Sequence, residues 1–190
     1  MYVMNKKNII CILLIIVVIG VYYNYQKDND ATPQSSVTLT DTPIYQSDDM
    51  TTDVYDLSGE IVYKIESSKV RHFDDSNNTE FDLPNLTLYD QDHTVTWHIK
   101  AKSATLTDDK HIYLYNDVQL DNLTPNAQLQ RVNTDNAVID LNTQLVTSKD
   151  PVTIKGVGFY STGLGLAGDL QAKTANILEN VKTYYNTEAQ

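Results

Sequence analysis

Apolar residues are distributed along this chain in two different ways. Residues 9–23 (IICILLIIVVIGVYY) form one apolar run broken only by Gly20, with Lys6 and Lys7 in front and Tyr22, Tyr23 and Tyr25 at its end. From position 45 onward, apolar residues instead recur at every second place. Val95, Trp97, Ile99 and Ala101 alternate with Thr96, His98 and Lys100, which is the period of a half-buried strand. Similar runs at 59–66, 86–89, 111–120, 136–141, 152–160 and 174–185 predict further strands. Turn-forming clusters separate them at 74–78, 90–92, 108–109, 122–125, 140–142 and 149–151. Beyond the first run no window has a sustained helical period, so the alternation predicts an all-β domain. A small residue, a spacer and an aliphatic residue recur at Ser68/Val70, Ala104/Leu106, Ala137/Ile139 and Ala175/Ile177. That spacing suggests stacked units of two short strands.

The first run predicts a membrane anchor. Its 15 residues make a helix of about 22 Å, short of a bilayer core of about 30 Å. Counting from Lys6 to Tyr25 gives 20 residues and about 30 Å, since lysine tails snorkel and tyrosine sits at the headgroups. No small-x-small cleavage pattern follows, which favours an uncleaved anchor over a signal peptide. Lys6 and Lys7 precede the run and Asp28 and Asp30 follow it, placing the rest of the chain outside the cytoplasm. Residues 24–44 are polar and carry Pro33 and Pro43. The expected organisation is therefore a cytoplasmic stub and anchor over 1–26, a linker over 27–44, and a β-domain over 45–190.

Charge narrows the partners. Setting aside Lys6 and Lys7, 12 basic residues face 25 acidic ones, a net charge of −13. That balance disfavours nucleic acid or an anionic membrane surface, so an anionic ligand would have to be held through its apolar part. The single cysteine, Cys11, lies in the apolar run, so the exported domain has no disulfide and relies on its core.

Candidate chemistry is sparse. Five of the seven glycines fall between Gly156 and Gly168. A phosphate-binding loop needs a strand before it and a helix after it, whereas these flanks are strands, so bulges or bends are expected. His93 and His98 are five apart and point to opposite faces of a strand. The chain has no G-x-S-x-G, and its acid pairs at Asp48-Asp49, Asp74-Asp75 and Asp108-Asp109 adjoin turns. No enzyme, cofactor or metal site is expected.

Two segments carry a resemblance. The run from Gln130 to Ser148 (QRVNTDNAVIDLNTQLVTS), and the segment with Gly156, Phe159, Ser161, Gly163, Leu164 and Gly168, closely resemble the LptC family. Trp97, Tyr113-Leu114-Tyr115 and the anchor position agree. This family comprises bitopic inner-membrane proteins of the lipopolysaccharide export machine, with the domain in the periplasm. The resemblance implies a twisted β-jellyroll of two antiparallel sheets whose apolar groove holds lipid A acyl chains. It implies that lipopolysaccharide is accepted from the inner-membrane ABC transporter LptBFG and passed to LptA through the C-terminal sheet edge. By position, it places Met50, Phe81, Ala175 and Tyr185 in the lipid groove. Gly156, Val181, Thr183 and Tyr184 fall at partner contacts. Ordinary core packing or strand bulging would account for several of these equally. Two rivals stay open: a scaffold joining two machines with no room for lipid, and an envelope hydrolase using converging acids.

Overall fold

The computed structural model describes residues 42–74, 76–90 and 92–185. The expected anchor and most of the expected linker lie outside these residues. Among the described residues no helix is long and apolar enough to cross a membrane.

The described chain is all-β and antiparallel. Its strands are β1 (Tyr45–Tyr55), β2 (Ile61–Phe73), β3 (Asn78–Asp82), β4 (Asn85–Tyr89), β5 (Val95–Lys100), β6 (Ser103–Leu106), β7 (His111–Asn122), β8 (Leu129–Asp140), β9 (Leu145–Gly156), β10 (Phe159–Asp169) and β11 (Thr174–Tyr185). They form one hydrogen-bonded sheet of 11 strands. β1 and β11 are its outer strands: β1 pairs only with β2, and β11 only with β10, among the described residues.

A single crease folds this sheet into two layers, giving a jellyroll-like sandwich. Asp49 in β1, Leu83 between β3 and β4, Asn116 and Asp117 in β7, Gly165 in β10 and Asn180 in β11 all have φ between 49° and 75°. Register places these positions side by side. Asp49 falls opposite Ser68, between the pairs Asp48↔Lys69 and Met50↔Ser67. The Leu83 N–H donates to Lys102 O at 2.9 Å, and the Lys102 N–H to Asn116 O at 3.0 Å. Farther along, Asn116 N–H donates to Asn136 Oδ1 and Asn136 Nδ2 to Asp150 Oδ2. At the end of the line, Thr162↔Lys182 passes to Leu164↔Glu179 around Asn180. Asn, Asp and Gly tolerate left-handed backbone and thus accept a bend without leaving the ladder.

The crease explains how the strands divide. Residues 63–66 of β2 pair with β4, and residues 69–73 with β3. β7 repeats this, giving residues 112–115 to β6 and 119–122 to β5. One layer thus contains β3, β6 and the turns at 107–110, 141–144 and 170–173. The other contains β4, β5 and the turns at 56–60 and 157–158. Buried residues of both layers, including Val70, Phe81 and Leu114 of the first and Ile65, Leu86, Trp97 and Leu120 of the second, form one core. Trp97 links the layers, because its Nε1–H donates to Leu170 O at 2.8 Å inside that core.

The small-x-aliphatic repeat marks the same boundary. Ser68, Ala104 and Ala137 are each at or just past the crease as their strands enter the first layer. Ala175 is not a fourth instance. It sits at the start of β11, whose direction across the crease is opposite, and pairs with Gly168. The expected turn at 149–151 is also absent. Lys149, Asp150 and Pro151 lie inside β9, where the ladder crosses the crease.

Candidate functional site

The sandwich opens along its last strand. In the second layer the inward row runs Val132, Ile154, Ser161, Thr183 from β8 to β11. Val132 and Ile154 are 1% and 6% exposed, whereas Val181 on the inward side of β11 is 55% exposed. The layers therefore part at this edge, leaving a cleft of about 520 Å³ between them. Leu129, Ile154, Phe159, Ala175, Ile177 and Val181 supply its apolar wall. Lys173, on the turn between β10 and β11, is its one charged lining residue.

Phe159 and Gly156 shape the floor. The residues face each other across the β9–β10 hairpin, and a Cβ built on Gly156 would meet Phe159 Cε1 at 2.2 Å and Gln128 O at 2.7 Å. Only glycine leaves room for the ring to lie flat over this strand end. Tyr185 pairs with Phe159 on the other side, their rings 6.4 Å apart and tilted by 46°. Ser161 and Thr183 share a hydroxyl hydrogen bond of 2.8 Å behind them.

A second cleft of about 710 Å³ lies on the other side of the Leu170 turn. It is lined by Asp56, Glu60, Asp90, Asp92 and His93, with Lys173 shared between the two. The acids are engaged locally. Asp56 Oδ1 accepts from Ser58 and Glu60, which hold its carboxyl below the usual range, and Asp90 Oδ1 accepts from Asp92 and Thr94. His93 Nε2 lies 3.0 Å from Glu60. These contacts fix hairpin turns.

The candidate residues separate into groups. Ala175 lines the first cleft, Tyr185 adjoins it through Phe159, and Val181 lines it directly. Thr183 points inward to Ser161, while Tyr184 faces out and stacks on Tyr160 at 4.7 Å. Phe81 is 4% exposed, in the core between Val70 and Ala104. Met50 lies at the opposite outer strand, packed against the core, with the Tyr45 hydroxyl 3.8 Å from its sulfur. The structure therefore gathers the C-terminal candidates and leaves Met50 and Phe81 apart from them. Phe159, Leu129, Ile154 and Ile177 are wall residues that alternation alone does not single out, because an open inner face has the same period as a closed one.

Comparison with known proteins identifies the family. The family model described as lipopolysaccharide-assembly, LptC-related, matches residues 10–186. The chain is 39% identical over 180 residues to the lipopolysaccharide export system protein LptC of Escherichia coli (strain K12), covering 95% of this chain and 92% of that protein. It is 36% identical over 167 residues to the protein of the same name from Haemophilus influenzae, covering 79% of this chain and 80% of that one. A match of this extent, on a creased antiparallel sandwich with an open apolar edge, assigns the chain to the LptC family of lipopolysaccharide-assembly proteins.

Proposed function

We propose that this chain carries lipopolysaccharide between the inner membrane and the periplasmic bridge. It is tethered by the apolar run at 9–23 in the inner membrane, with the β-domain in the periplasm. It accepts the lipid from LptBFG into the apolar interior and passes it to LptA docked on the β11 edge. The supporting observation is the unclosed side of the sandwich, where apolar inner-face residues of β11 line a cleft next to a strand edge that is unpaired among the described residues. Burial there favours acyl chains by about 0.8 kcal/mol per CH₂. The polyanionic headgroup stays in water, away from a domain that is itself acidic. A free edge strand is a template for another chain, so a dedicated partner strand on β11 extends the sheet and keeps it from pairing indiscriminately.

Met50, Phe81, Ala175 and Tyr185 mark the lipid path in this reading. Phe81 reaches the path only when the two layers part, since it is packed between them at rest. Gly156, Val181, Thr183 and Tyr184 lie where the next subunit meets the edge. Moving the lipid draws on ATP hydrolysed by the transporter, and this chain performs no covalent chemistry.

A cleft-filling substitution tests the reading. Ala175→Trp should abolish growth of cells that depend on this chain, at unchanged protein level and thermal midpoint. Normal growth would leave a scaffold without lipid passage as the better account.

A further inference from the structure

Two residues lining the first cleft, Asn122 and Thr124, each have a buried side-chain atom with no hydrogen-bond partner among the described residues: Asn122 Nδ2 and Thr124 Oγ1. Their placement is fixed by a local turn. Asn122 Oδ1 accepts the Thr124 N–H at 3.0 Å, which turns the amide so that its NH₂ group faces away from the backbone. The turn is closed by Ala127 N–H on Thr124 O at 3.3 Å, with Asn126 at φ 59°. Buried donors are rarely left unpaired, and a rigid pair beside an apolar wall marks a place for an acceptor.

We propose that Asn122 and Thr124 form a polar subsite that holds the ester or amide carbonyl joining an acyl chain to its headgroup. This rests on the reading of the cleft as an acyl site and adds what the cleft recognises besides length. Both groups are neutral and their atoms are buried, which suits an uncharged carbonyl oxygen. A phosphate would lose far more hydration in that wall. It would be drawn to half-buried Lys173, on the turn that forms the facing side of the cleft. The Asn122 amide donates one hydrogen bond and the Thr124 hydroxyl a second. The chain beyond the carbonyl then lies along Leu129, Ile154 and Ile177.

Binding by the full chain in amphipol tests this, using two fluorescent probes matched in length, one an N-acyl amide and the other its ether analogue without a carbonyl. The wild type should bind the amide roughly tenfold more tightly than the ether, as two net hydrogen bonds allow. Asn122→Leu removes the donor at similar size, at the cost of the Oδ1 bond to the Thr124 N–H, and Thr124→Val removes the hydroxyl at constant shape. Each should lower the preference to about threefold, one of the two hydrogen bonds remaining, while ether binding persists, and Thr124→Val should also keep the thermal midpoint. Equal binding of the two probes by the wild type would overturn the subsite and would leave the acyl cleft standing. Failure to bind either probe would instead overturn the cleft reading itself.

Discussion

Gly156 ties one residue's lack of a side chain to the shape of the cleft. A methyl group there would overlap both the Phe159 ring and Gln128 O, the second being backbone that cannot swing aside. Gly156→Ala should therefore destabilise the domain by about 1–3 kcal/mol and push Phe159 out of the floor. Adding Phe159→Ala should restore only part of that loss, because the clash with Gln128 O persists; denaturant titration of the three variants measures it. Arg71 offers a second test. Its guanidinium bonds both oxygens of Asp82 at 2.9 Å and Glu80 at 3.2 Å, in the layer that contains β3. This hydrogen bond, with added Coulombic attraction, lowers the Asp82 pKa and raises that of Arg71. A depressed carboxylate pKa stabilises the fold above the unfolded value of about 3.9, and that stability is lost as pH falls through the folded value. Thermal midpoints should thus be flat near neutrality and fall below about pH 4, and Arg71→Met should flatten part of that fall. Asp82 is part-exposed, so the effect is modest.

Strands are legible where one face is buried and the other wet, as in β7 and β8, because alternation is then unbroken over several residues. β1 is exposed on one face and only half-buried on the other, where Met50 and Val54 are its apolar residues, too few to make an alternation. The hairpin at Val157-Gly158 was hidden inside an apolar run that continues through it. Lys149-Asp150-Pro151 looked like a turn because a crease and a turn use the same residue types. The clustering of the C-terminal candidates follows from the register of β10 and β11, which spacing alone does not reveal. That register also gives a prediction about the β11 edge. Successive N–H groups of a strand point to opposite sides, so of Lys182 and Thr183 one donates toward β10 and the other toward the free side. Proline at the free-side position should weaken capture of the partner strand while leaving the thermal midpoint nearly unchanged. Proline at its neighbour should lower the midpoint. Pull-down of LptA alongside thermal melts separates these outcomes, and equal loss of capture with normal melts at both would contradict edge pairing.

At the scale of the molecule, the crease makes two layers that face each other over a continuous core, and the Trp97–Leu170 hydrogen bond joins them beside the cleft. Trp97→Phe leaves Leu170 O unpaired and thins the core, so a loss of about 2–4 kcal/mol is expected by denaturant titration. The central claim is that lipid travels in the space between these layers and leaves along β11. Photocrosslinking in living cells tests it most directly, with the probe at Ile177 and Val181 in the cleft and, as control, at Asp108 in an exposed turn. Lipopolysaccharide adducts at the two cleft positions, absent at Asp108 and lost when cellular ATP is depleted, are the predicted result. Adducts to protein alone at Ile177 and Val181, with no lipid at either, would contradict it.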